Sequence, residues 1–143
     1  MPWRECQQGR TVVARLEHGG DLLQQVAALA RTEGIAAGEL RGLGALRRAR
    51  LAFYDQAAQE YREVSYDEPL ELVALVGNVS RRHGEVAVHA HATLAREDGS
   101  CVGGHVAEGC EVFAAEVVLV EWPGTVLERR HDPVTGLYLW EGL

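Results

Sequence analysis

Residues 88–105 read Val-His-Ala-His-Ala-Thr-Leu-Ala-Arg-Glu-Asp-Gly-Ser-Cys-Val-Gly-Gly-His, and the way this stretch turns back decides the sheet. His89 and His91 are two residues apart, so on a β-strand both point to one face. Glu97-Asp98-Gly99 suits a three-residue hairpin loop, a type I turn closed by a left-handed glycine. In that register Arg96 pairs with Ser100 and His91 falls opposite His105, which puts three imidazoles on one face of one hairpin. A two-residue loop would slip the pairing by one and turn His105 to the other face.

The same alternation runs along the rest of the hairpin. Val86, Val88, Ala90, Ala92 and Leu94 form an apolar side, continued by Val102, Gly104 and Val106, so the histidines lie away from it. Outward from the hairpin, most segments read as strands: 11–16, 38–46, 48–54, 61–66, 70–80 as a central strand, and 112–122, with short ones at 125–127 and 137–140. Arg81-Arg82-His83-Gly84 reads as a turn, and Gly42 and Gly44 as a bulge or a close backbone approach. One helix is expected. Asp21 can cap it, Leu22, Leu23, Val26, Leu29 and Ala30 follow at helical spacing, and Gly34 stops it. The pattern is an α+β fold, a mostly antiparallel sheet with one helix on it.

The 143 residues suit a single domain spanning 1–143, its core roughly 11–122, long enough to bury a core without staples. A formal net charge of -7 opposes nonspecific nucleic-acid binding, which calls for a basic excess. Cys6, Cys101 and Cys110 are an odd set without a C-x-x-C pair, so they read as free thiols in a reducing compartment. Cys101 and Cys110 are expected to pack as small apolar residues in strands, with Cys110 as fourth metal ligand the alternative. The opening Met-Pro-Trp-Arg-Glu-Cys-Gln-Gln has no apolar signal core and no stretch approaches membrane-spanning length, so a cytoplasmic location and no membrane partner are expected.

Gly-Gly-Asp-Leu-Leu at 19–23, Gly-Leu-Gly-Ala-Leu at 42–46, Phe-Tyr-Asp at 53–55, Glu-Pro-Leu-Glu at 68–71 and Gly-Asn-Val-Ser at 77–80 occur in one order with His-Ala-His-Ala at 89–92, Asp-Gly at 98–99 and Gly-Gly-His-Val at 103–106. Glu-Gly-Cys at 108–110 and Ala-Glu-Val-Val-Leu at 115–119 close the set. Over residues 11–122 this series resembles the PPC domain, the plants-and-prokaryotes conserved domain that plants fuse to AT-hook motifs. The resemblance implies a twisted antiparallel sheet with a helix, a homotrimer, and a DNA-binding or regulatory role. The chain departs from the plant members in one respect. Neither Arg47-Arg48 nor Arg129-Arg130 belongs to an Arg-Gly-Arg-Pro core of the kind that enters A·T-rich minor grooves.

The His-x-His strand with a later histidine is also similar to the metal site of acetolactate decarboxylase, and only that pattern carries over, onto His89, His91 and His105. Three neutral imidazoles suit zinc first, while iron, nickel and copper also accept them. The alternative reading of the same rings is a polar, partly buried sheet face lining a trimer contact. Glu108 is the catalytic candidate, as general base or as a partner orienting an imidazole, and otherwise a surface carboxylate. Asn78 reads as a turn residue, with contact to a substrate oxygen the alternative. Gly103 and Gly104 leave room for a ligand or for a neighbouring backbone. His18, His83 and His131 read as solvated turn residues, and Arg47, Arg48 and Arg50 as a solvated strand edge. No Gly-x-Ser-x-Gly elbow or phosphate-binding glycine loop occurs. Two functions remain: a DNA-associated module, and a metal-dependent enzyme of lyase or hydrolase type acting on a small oxygenated molecule.

Overall fold

The computed structural model describes residues 1–143, built from nine strands and one helix. The strands are β1 (Thr11–Leu16), β2 (Gly38–Asp55), β3 (Glu60–Tyr66), β4 (Leu70–Arg82), β5 (Glu85–Ala95), β6 (Cys101–Val106), β7 (Glu111–Glu121), β8 (Glu128–His131) and β9 (Tyr138–Trp140). All pair antiparallel except β4 with β8. β2 joins the layers. Its first half pairs with β4 and β7, and its second half with β3 and β6. Since β4, β5 and β6 are consecutive neighbours, β2 closes them into a ring.

The helix α1 (Leu22–Thr32) starts where expected. The Asp21 carboxylate accepts from the Gln24 amide at 3.0 Å, and its other oxygen accepts from Gly109 N–H at 2.7 Å, tying the helix start to the loop before β7. Gly34 takes φ 67°, which ends the helix. Leu22, Val26 and Ala30 are fully buried with Leu40, Leu75, Leu94 and Leu119 of the sheet. Each large aliphatic chain so buried contributes about 1.5–3 kcal/mol.

Several boundaries differ from the sequence reading. Residues 38–46 and 48–54 are one 18-residue strand, β2, whose register shifts at Gly42/Gly44 and again at Ala45/Leu46 and Leu46/Arg48. Register shifts at three places in one strand break the alternation and make it look like two strands. A side chain at Gly44, where φ is 149°, would stand 2.6 Å from Ala115 Cα, so this glycine marks a close approach. β4 runs on through Arg82, leaving His83-Gly84 as the turn. Residues 125–127 are not a strand. The tail strand is β8, held parallel to β4. His131 belongs to it rather than to a turn. Cys110 is buried just ahead of β7, whereas Cys101 is exposed; all three thiols are free. Arg47, Arg48 and Arg50 are exposed and paired with Glu111 and Glu63. No helix is long and apolar enough to cross a membrane.

Candidate metal centre

The hairpin between β5 and β6 takes the three-residue register. Gly99 N–H donates to the Arg96 carbonyl at 2.9 Å, Arg96 N–H to Ser100 at 2.9 Å, and Gly99 has φ 81°. His91 is therefore directly opposite His105, and on the other edge of β5 His89 is opposite Asn78 and His91 opposite Val76. Paired residues share a face, so the histidines, Asn78 and Val76 all stand on the side of the sheet away from the apolar core. The ring centroids of His89, His91 and His105 are 5.1 to 5.5 Å apart. One ligand atom from each lies within 4.8 Å of the others.

Backbone constraints hold this geometry. A side chain on Gly104 would stand 2.9 Å from the Ala52 carbonyl oxygen, and one on Gly103 3.0 Å from that of Ala92. The two glycines thus let β6 approach β2 and β5 closely. Tyr61 of β3 packs its ring on His105 with centroids 4.8 Å apart. Asn78 is not a turn residue: it sits within β4, and its side-chain oxygen accepts from Arg129 at 2.9 Å.

Arg129 is the residue beside this cluster that sequence reading missed. It is half-buried on β8 and donates through Nε to Ser80 Oγ at 2.8 Å and through Nη1 to the Tyr138 carbonyl at 2.9 Å. Its Nη2 lies 3.4 Å from His89 Nδ1. No spacing or motif marks it, because β8 reaches β4 only through tertiary pairing. Glu108 lies in the exposed turn after β6 and is not among the residues lining the pocket beside the histidines. Cys110 is absent from the histidine cluster; its thiol hydrogen-bonds to the Arg50 backbone. His18, His83 and His131 are exposed.

The surroundings of His89 and His105 favour their neutral forms. Burial, then the nearby Arg129 charge, then His105 and His91 hold His89 down at about 4. Burial, followed by His91 and Arg129, also lowers His105. Neutral rings offer free lone pairs, so no proton need be displaced for an ion to bind at neutral pH. His105 Nδ1 is buried without a hydrogen-bond partner. An orphaned ring nitrogen within a cluster of three imidazoles fits a bound divalent ion.

The lowered values set a pH dependence for the metal-free chain. In the unfolded chain these rings titrate near 6.5, well above folded His89 at about 4, so protonation favours unfolding. Stability is full above pH 6.5 and falls as pH drops towards 4. Thermal melts of metal-free protein between pH 7.5 and 4.5 should show Tm falling through this window, with a shallower fall in His89→Ala. Equal slopes in both proteins would contradict the assignment. The rings are only half-buried, which tempers the size of the effect.

A family profile for the Plants and Prokaryotes Conserved (PCC) domain matches residues 3–123. The metal-containing protein of Archaeoglobus fulgidus is 37% identical, with a TM-score of 0.94 over 99% of this chain and 100% of that one. A plant- and prokaryote-conserved protein of Pyrococcus horikoshii is 36% identical, with a TM-score of 0.93 over 100% and 99%. A candidate DNA-binding protein of Ralstonia eutropha JMP134 is 26% identical, with a TM-score of 0.82 over 92% and 90%. A Staphylococcus aureus protein similar to alpha-acetolactate decarboxylase shares the fold alone, at 17% identity and a TM-score of 0.55 over 85% and 55%. Among curated proteins, the bifunctional protein GlmU of Synechococcus sp. (strain JA-2-3B'a(2-13)) is 36% identical over 124 residues. That match covers 85% of this chain but 18% of the curated protein, so the chain spans less than a fifth of that relative's length.

Proposed function

The chain belongs to the Plants and Prokaryotes Conserved domain family, and from that premise we propose that it is a homotrimeric metal-centre protein in which His89, His91 and His105 hold one divalent ion, zinc first among the candidates. The convergence of three imidazoles within 4.8 Å on a rigid hairpin carries this reading. The description of the Archaeoglobus fulgidus relative as metal-containing supports it. When bound, the ion would supply Lewis acidity towards an oxygen of a small molecule. Arg129 fixes Asn78 and stands against His89, Tyr61 covers one side of His105, and the tail strands wall the adjoining pocket. These contacts suit an enzyme of lyase or hydrolase type acting on a small oxygenated substrate. Val76, exposed beside His91, supports placing the open side of the centre at a subunit boundary.

A DNA-associated role is the second reading, favoured by the name of the Ralstonia eutropha relative. The net charge of -7 and the missing AT-hook core oppose it. One pair of titrations separates the readings. Calorimetric titration of the metal-free chain with zinc should give one equivalent per chain at neutral pH. Labelled duplex DNA should show no binding whose affinity falls steeply with salt, the signature of counterion release. Steep salt-dependent duplex binding with no zinc uptake would reverse the choice.

A further inference from the structure

Beside the histidines lies a pocket of about 240 Å³ whose walls carry two arginines, two of the three imidazoles and no carboxylate. This is unusual in a chain with a net charge of -7. Many of the surface arginines meet acids, among them Arg10, Arg48, Arg50, Arg96 and Arg130. Arg129 does not. Its hydrogen bonds run to Ser80 Oγ, Asn78 Oδ1 and the Tyr138 carbonyl, all neutral. Arg82 likewise spends its charge on a ring, with its guanidinium carbon 3.4 Å from the Tyr138 centroid. A half-buried cation held only by neutral acceptors remains electrostatically unsatisfied, and a charge-assisted bond to an anion satisfies it. The remaining wall includes Ala87 and Leu137, which suits carbon rather than inorganic oxyanion chemistry.

We infer that this pocket is the receptor for a small organic carboxylate, its anion facing Arg129 and Arg82 and its carbon chain lying against Ala87 and Leu137. The inference deepens the proposed metal centre by naming the substrate class of the same site, and it rests on that reading for what the far end of the molecule meets. Arg129 of β8 and Leu137, just before β9, lie beyond the residues 3–123 that the family profile matches, whereas Arg82 and Ala87 lie within them.

The test uses butanoate, its neutral counterpart butanamide, and inorganic phosphate, titrated by ligand-observed NMR into the full chain in metal-free and zinc-loaded form. Butanoate should bind at least about tenfold more tightly than butanamide, as one lost charge-assisted bond implies. Arg129→Gln should weaken butanoate by a similar factor. Arg82→Gln, at an exposed position where folding is not at risk, should weaken it several-fold with an unchanged circular dichroism spectrum. Equal binding of acid and amide, or wild-type affinity in both variants, would overturn the inference. Phosphate displacing butanoate at lower concentration would overturn the carboxylate assignment. A chain that takes up no zinc yet still prefers butanoate keeps the carboxylate site and removes the metal reading. A zinc-loaded chain without that preference does the reverse.

Discussion

Under the proposed metal centre, replacing His105 by alanine is expected to lower zinc affinity by at least about 100-fold, a larger loss than changing a residue that only supports a ligand. His105 is the ring that links the two strands of the hairpin: it faces His91 across the β5–β6 pairing and packs on Tyr61. Its Nδ1 is buried with no partner, so the side chain does little for the fold beyond its packing. The neighbouring backbone pairing of β6 with Ala52 and Leu51 does not involve the imidazole. The variant should therefore fold, with a Tm close to that of the metal-free wild type, and fail to hold zinc against a chelator competitor. Wild-type zinc affinity in His105→Ala would remove this ring from the site.

The second large effect is expected at a residue that touches no ion. Gly77 lies on β4 opposite Ala90, between the two histidines of β5. A Cβ at Gly77 would stand 2.9 Å from both Ala90 Cα and Ala90 Cβ, and closer still to the His89 carbonyl oxygen. These are atoms of the paired strand itself, so no side-chain rotation relieves the clash. Gly77→Ala must push β5 away from β4, or strain both. Overpacking of this kind costs about 1–3 kcal/mol, which is several degrees in Tm for a chain of this size. The shift carries His89 with it, so zinc affinity should fall although every ligand is intact. An unchanged Tm together with unchanged zinc affinity would show that the strands have slack the structure does not display.

The part of the site that could be read from sequence is the part fixed locally. Gly99 after Glu97-Asp98 fixes the loop length, loop length fixes the register, and the two-residue period then determines the face of each histidine. The helix was legible for a similar reason, with Asp21 and Gly34 marking its ends. What was hidden depends on distant pairing. The bulges in β2 disguise one long strand as two, because each extra residue reverses the alternation. Asn78 follows a glycine and so resembles a turn residue, yet the glycine is there to admit β5. The polar run Glu128-Arg129-Arg130-His131 has no strand signature, and only its parallel alignment with Arg81 and Arg82 of β4 brings Arg129 to the histidines. Glu108 looked close in sequence, three residues from His105, but the turn after β6 leaves it in solvent.

Metal content per chain is the most direct measurement of the central claim. It is read by elemental mass spectrometry on untagged protein purified without added metal, beside the His89→Ala/His91→Ala double variant. The account predicts close to one divalent ion per wild-type chain, zinc foremost, and none in the variant. A wild-type chain that carries no metal and takes up none on reconstitution would contradict it, and would leave the three imidazoles as a polar face between subunits.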